Sequence, residues 1–379
     1  MKRLLTCLLI NSVVAMTATA QGHELLVGSY TQGSSEGIYR YRFDSQSGQI
    51  EPEPLQVVQS VNPSWLVVSS DRRLLFAVNE NGAGHGQVSS FALAPGSGAI
   101  SPLSRLDSLG DEPTHASLSN DGRYLFVANY AVQPTPGGSL SVLPVAADGR
   151  LLPVVQQERH PPSYVNPERQ SGSHVHAAVS SPDGRYLYAC DLGADKVFIY
   201  RYDSANPERP LGPARPAAVN LPPGSGPRHL VFAATGKQAY LTLEMSAEVV
   251  VFDVQDGVLI ERQRLPLSDS QAPTSKAAGA LHLSPDGRFL YVSNRGTANQ
   301  LLVFAIDSAL GTLTPLQRRS VEGDHPREFT LDPSGGYVLV ANQKSNQIVV
   351  IQRDRHTGLL GKTVQKLAQD APSDLKFVN

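Results

Sequence analysis

Along most of its length the chain alternates short apolar runs with polar turns, and the alternation repeats. The segment PSWLVVSSDRRLLFAVN (63–79) shares its plan with PTHASLSNDGRYLFVAN (113–129), VHAAVSSPDGRYLYACD (175–191), PRHLVFAATGKQAYLTL (227–243), AGALHLSPDGRFLYVSN (278–294) and PREFTLDPSGGYVLVAN (326–342). These copies align without a gap. Their turn positions, Arg72, Gly122, Gly184, Gly236, Gly287 and Gly335, lie about fifty residues apart, with one longer interval before Gly184. Each copy reads as two β-strands of β-branched and aromatic residues. Between them Asp-Gly supplies the positive φ of a tight turn. A third apolar run follows each copy, among them VSSFAL, KVFIYRYD and QIVVIQRD, and in most a Gly-containing turn and a short fourth strand come next. Four strands per repeat of this length make a β-propeller blade.

A seventh copy is split between the chain ends. PSDLKFVN (372–379) matches the first strand of the pattern, HELLVGSY (23–30) the second and GIYRYRFD (37–44) the third. Joined, they complete one blade and leave it no open edge. The expected fold is therefore all-β, a single seven-bladed β-propeller over residues 21–379, its ring closed by the N- and C-terminal strands in one blade. A pair of β-sandwiches or a solenoid does not explain why the two ends complement each other.

Residues 1–20 follow a different rule. Lys2 and Arg3 precede an apolar run from Leu4 to about Met16, and Ala18-Thr19-Ala20 gives an A-x-A site. This reads as a secretory signal peptide cleaved before Gln21, which implies a periplasmic protein. The run is shorter than the roughly 20 residues a membrane span needs, so no stable membrane insertion is expected. Without the leader, Cys190 is the only cysteine, so an internal disulfide is excluded. With 32 Lys+Arg against 34 Asp+Glu, the charge balance gives no reason to expect a nucleic-acid partner. Oligomeric state is left open.

In a repeat protein, function sits where the copies differ. The start of each first strand and the end of each second strand share one rim, away from the Asp-Gly turns, and the first strand is expected to line the central channel. One residue into the first strand stand Ser64, Thr114, His176, Arg228, Gly279, Arg327 and Ser373. The next column is Trp65, His115, Ala177, His229, Ala280, Glu328 and Asp374. The second strands end at Tyr30, Glu80, Tyr130, Leu192, Glu244, Arg295 and Gln343. Charged groups converging on a channel mouth are costly to desolvate unless they are paired or used. The long interval RHPPSYVNPERQSGSHVH reaches the same rim and suits a lid or pocket wall. Asp121, Asp183 and Asp286 belong to turns and are scaffold. The chain holds no Gly-x-Ser-x-Gly, His-Glu-x-x-His, Cys-x-x-Cys, P-loop or EF-hand pattern. His174 and His176 could face one way on a strand, but no third ligand is located, so neither metal nor cofactor is assigned.

The combination of HVHAAVSSPDGRYLYACD, GSGPRHLVF with Glu244 at the next strand end, LSPDGRFLYVSNRG and HPREFTLDPSGGYVLVANQ resembles the lactonase family of seven-bladed propellers. That family includes propeller-type 6-phosphogluconolactonases and carboxymuconate-cyclising enzymes. The likeness covers essentially the whole mature chain; one copy departs from it only in scaffold, with AATGK in place of SPDGR. It implies a site of His176 (with His174 beside it), Arg228, Glu244 and Arg295, the residues that the columns also single out. Glu80, Tyr130, His174, Arg169 and Arg327 are expected, on our own reading, as second-tier substrate contacts. Glu244 and His176 both remain candidates for the general base. Combined with export, the resemblance implies hydrolysis of an unphosphorylated sugar lactone, glucono-1,5-lactone, in the periplasm. The alternatives are a 6-phosphogluconolactonase, a muconate-type cyclase on the same residues, or a non-catalytic binding propeller.

Overall fold

The computed structural model describes residues 22–133, 135, 137–268 and 277–378; the expected leader lies outside the described residues. Seven antiparallel sheets follow one another around a ring: blades one (63–107), two (113–158), three (175–220), four (227–266), five (278–320) and six (326–368), then a seventh built from both ends. In that closing blade Pro372–Phe377 is innermost and pairs with Gly22–Ser29, which pairs with Gly37–Asp44. The outer position is filled in two pieces, Gln49–Ile50 and Gln56–Gln59. The expected split blade is thus present, with a broken outermost strand. Among the described residues no helix is long and apolar enough to cross a membrane.

Order within a blade follows from burial. The second strand is flanked by neighbours in its own sheet and by both adjacent blades, and reads as a continuous apolar run: Leu125, Phe126, Val127 and Ala128 are all buried. Between blades three and four, Tyr188, Leu230, Leu241 and Phe252 share one core. Tyrosines in that second strand also fasten blade to blade. The Tyr188 hydroxyl donates to the Gly257 carbonyl (2.8 Å), Tyr240 to Gly311 (3.0 Å) and Tyr291 to Gly358 (2.7 Å). Each such bond contributes about 1 kcal/mol net.

The Asp residues of the turns are consumed locally. Ser119 Oγ donates to Asp121 Oδ1 (2.6 Å), Ser181 to Asp183 (2.6 Å) and Ser284 to Asp286 (2.5 Å). Gly122 and Gly184 sit at φ of +69° and +70°, where a Cβ is strained. These residues are scaffold, as their repetition implies.

At the opposite end every first strand carries a bulge. Pro63 faces Asn79 and Trp65 faces Val78, so Ser64 is an extra residue. The same slip places Thr114, His176, Arg327 and Ser373 out of register in blades two, three, six and seven. In blades four and five it spans Arg228–His229 and Gly279–Ala280. A bulge re-aims a side chain that regular pairing would send along the sheet normal. Here it turns one residue per blade into the channel mouth.

Candidate functional site

Glu244 is the centre of the rim. It directly follows the second strand of blade four, which ends at Leu243, and its carboxylate receives three guanidinium groups from three directions. Arg228 Nε, from the bulge of the same blade, lies 3.1 Å from Oε2. Arg295 Nη2, from the strand end of blade five, lies 2.7 Å from the same oxygen. Arg169 Nη2, from the long loop, reaches Oε1 at 2.7 Å and also donates to the Tyr130 hydroxyl at 3.0 Å. Burial alone raises the Glu244 carboxyl, but Arg295, Arg228 and Arg169 outweigh it and hold the group well below the usual carboxylate range. Arg228 is 1% exposed. Burial and then the charge of Arg295 work against its cation, Glu244 offsets them only in part, and its pKa is lowered to about 9.

His176 stands beside this group, with Nε2 4.0 Å from Glu244 Oε2. Burial, then Arg228, push its pKa well below the ordinary histidine value, and Glu244 opposes them only in part. The ring is therefore neutral at neutral pH. His174 lies one residue before the innermost strand of blade three. It stacks on Tyr130 at 4.8 Å and holds the Tyr130 carbonyl with Nδ1 at 2.9 Å, which fixes the proton on that nitrogen. The two histidines thus have different tasks: His174 props Tyr130, and His176 faces the carboxylate. Among the described residues no group of three or more His, Cys, Asp or Glu side chains is arranged to hold a metal ion.

A second cluster closes the other side of the mouth. Arg327 Nη2 donates to Glu80 Oε2 (3.0 Å) and Thr114 Oγ1 (3.2 Å). The Tyr30 hydroxyl donates to Glu80 Oε2 (2.7 Å), and Ser64 Oγ donates to the same atom. The Arg327 guanidinium lies 5.1 Å from the Tyr30 ring centre. Burial opposes the Arg327 charge, but Tyr30 and Glu80 prevail and raise its pKa. Four arginines therefore face two carboxylates, a surplus of positive charge suited to an oxygen that becomes negative.

All nine residues singled out in the sequence lie on this rim, in two groups. Tyr130, Arg169, His174, His176, Arg228, Glu244 and Arg295 form one, and Glu80 with Arg327 forms the other. Missed were Tyr30, Ser64, Thr114 and His325, whose Nε2 lies 3.4 Å from Arg295 Nη1. The first three stood in the divergent columns; Ser64 and Thr114 have small side chains that gave no reason to prefer them, whereas Tyr30 carried the same signal as Tyr130. Below the rim, Trp65, His115 and His229 pack against one another at 4.3–5.6 Å and plug the channel.

Residues 24–377 match the family model described as lactonase, 7-bladed beta-propeller. The chain belongs to this lactonase family. A solved relative of high similarity is the periplasmic gluconolactonase PpgL of Pseudomonas aeruginosa, with 54% identity and a TM-score of 0.92, covering 94% of this chain and 99% of that one. A putative 6-phosphogluconolactonase of Bacteroides fragilis follows at 36% identity and a TM-score of 0.87, covering 96% and 99%. The 6-phosphogluconolactonase of Bacillus subtilis is 30% identical over 356 residues, 93% of this chain and 97% of its own length. As a lactonase, the protein is a lactone-hydrolysing enzyme, and the rim is where its geometry gathers unusual charge.

Proposed function

We propose that the protein hydrolyses an aldonolactone, with glucono-1,5-lactone as substrate and gluconate as product, in the periplasm after removal of residues 1–20. The observation that carries this reading is the neutral His176 beside a carboxylate already committed to Arg169, Arg228 and Arg295. The similarity to a periplasmic gluconolactonase supports the unphosphorylated substrate.

The division of labour follows from the charges. Glu244 has both oxygens occupied by the guanidinium groups of Arg169, Arg228 and Arg295, so it is a poor proton acceptor. The base role falls to His176. Water attacks the lactone carbonyl carbon as His176 Nε2 takes its proton, and Glu244, 4.0 Å away, stabilises the imidazolium. The carbonyl oxygen becomes an oxyanion held by Arg228 and Arg295, whose several donors suit it. The carbon–ring-oxygen bond then breaks, the ring oxygen takes the proton back from His176, and the product is a hydroxy acid that ionises to carboxylate. Arg169 and Tyr130 on one side, and Glu80 and Arg327 on the other, bind the ring hydroxyls.

The test is proton release from fresh glucono-1,5-lactone beside 6-phosphogluconolactone, each corrected for spontaneous opening. Faster turnover of the unphosphorylated lactone is expected. Preference for the phosphate would overturn the substrate, and acceleration of neither would overturn the reading.

A further inference from the structure

At one buried position, which holds Ser29 in the closing blade and Leu243 in blade four, the third blade alone places a charge. At the last residue of the second strand, four blades place an asparagine: Asn79, Asn129, Asn294 and Asn342. Their amides tie the strand to neighbouring hydroxyls or carbonyls, as Asn129 does with Ser139 and Ser141 (3.1 Å each). Blade three has Asp191 instead, a carboxylate with no exposed surface. Burying a charge where other blades manage with an amide is costly unless it does something the amide cannot.

The partners of Asp191 say what that is. His160 Nδ1 lies 2.8 Å from Oδ2, and since a carboxylate only accepts, that nitrogen carries the proton. Ser173 Oγ donates to Oδ2 at 2.5 Å, and the backbone N–H groups of His174 and Ala194 donate to Oδ1 at 2.8 and 3.1 Å. His160 is held in turn by the Tyr200 hydroxyl (2.7 Å) and stacks on Phe198 at 3.6 Å. His160 opens the long loop of blade three, and Ser173 and His174 close it. One carboxylate therefore grips both ends of the segment that carries Arg169. Inside the loop Asn166 accepts the backbone N–H groups of Arg169 and Gln170, and Gln170 Nε2 donates to the Leu192 carbonyl (2.9 Å), so a local turn shapes the loop while the clasp fixes where its two ends sit. The reaction scheme above uses neither Asp191 nor His160.

We propose that Asp191, with His160, is a positioning pair that clasps the loop and thereby sets Arg169 and His174 for substrate capture. This rests on the reading of Arg169 as a substrate contact. The clasp acts through Arg169, so its loss appears in KM and leaves the chemical step at His176 nearly intact.

The experiment is a double-mutant cycle of Asp191→Asn with Arg169→Ala on the mature protein, measuring kcat and KM for glucono-1,5-lactone. Asparagine already serves at this place in four blades, so Asp191→Asn is expected to fold, checked by circular dichroism and melting temperature. Tyr200→Phe, which loosens only His160, is the milder second variant. Each of Asp191→Asn and Arg169→Ala is expected to raise KM about tenfold with kcat within about twofold. Because they act on one contact, the double variant should be no worse than the worse single one. Fully multiplicative effects on KM, or an Asp191→Asn protein with unchanged KM, would overturn the proposal. Tryptic cleavage at Arg169 provides a readout independent of substrate, and Asp191→Asn is expected to speed it at least severalfold. If the wild type opens no lactone but this acceleration is seen, the substrate reading fails and the clasp stands; unchanged cleavage removes the clasp whatever the substrate.

Discussion

The channel has two mouths, and the larger opening is not where the charge converges. On the turn side lies a cavity of 1190 Å³ whose lining includes Trp65, His115, His229, His282, Glu328 and Lys376. Its ionic groups pair among themselves: His282 with Glu328 at 2.7 Å, and Lys376 with Asp374 at 2.9 Å, the ammonium lying 4.2 Å from the Trp65 ring centre. On the other side the rim is tight, and a void of only 10 Å³, lined by Ser64, Trp65, Thr114, Arg228, His229, Arg327, Glu328 and Ser373, separates it from the cavity. The difference lies in the strands. Polar groups at the turn end bond back to the turns that carry them, whereas bulges at the rim end aim one residue per blade inward. Volume marks where a ring leaves space; uncompensated charge marks where a ligand is awaited.

Substitutions at the two mouths should therefore part company, most sharply at the rim. His176→Ala removes the proposed base and is expected to lower kcat by about 10²–10⁴-fold with little change in melting temperature. Arg228→Ala removes an oxyanion donor and is expected to cost about 10²–10³ in kcat. Steady-state proton release measures both. Glu244→Gln should also lose most activity, because it leaves three guanidinium groups less compensated and the imidazolium without its counter-charge. If Glu244→Gln kept full activity, the rim would lose its centre and the comparison its meaning.

Much of this contrast is already visible in the chain. The blades were legible because Asp-Gly turns recur between apolar strands, and the closing blade because PSDLKFVN and HELLVGSY supply what each other lacks. The rim residues were legible as columns in which Arg, Glu, His and Tyr replace apolar neighbours. The bulges were not, since an extra residue carried by every copy leaves no gap in an alignment of copies. Arg169 was legible only as a charge in the long loop at the rim, and its pairing was not, because its partner Glu244 belongs to another blade. Asp191 shows as an Asp among Asn, yet its partner His160 lies in a loop with no repeat to compare against. Pairings across non-repeating sequence are set by folding of the ring, not by local pattern.

At the far mouth the expected outcome is the reverse of the rim. Lys376→Met leaves the buried Asp374 carboxylate without its ammonium, and should destabilise the fold by about 1–3 kcal/mol. Because the plug of Trp65, His115 and His229 stands between, kcat/KM on glucono-1,5-lactone should stay within about twofold of wild type once both proteins are folded. Urea unfolding beside initial rates checks both halves. A large fall in kcat/KM without loss of stability would mean that the wide mouth takes part in the reaction.

The plug itself gives the smallest effect, and its sign is opposite to that of an ordinary histidine gaining a partner. Burial first, then Lys376, lowers His115 to about 3, and burial with Arg228 holds His229 well below its usual value. Both are neutral in the native protein at pH 7. In the unfolded chain they take up a proton near pH 6.5. Between that value and their native pKa the unfolded state binds more protons, so stability falls as the pH drops below 6.5 and is fully present above it. Each such histidine contributes at most about 1.4 kcal/mol per pH unit within that window. Replacing His115 with Gln keeps a polar side chain and removes one titrating group. The unfolding free energy of His115→Gln, measured in urea at pH 7.5 and 5.5, should therefore change less between the two pH values than that of the wild type. An equal change in both proteins would mean that His115 is not held neutral, and that the two mouths share a charged, hydrated passage instead of being sealed from each other.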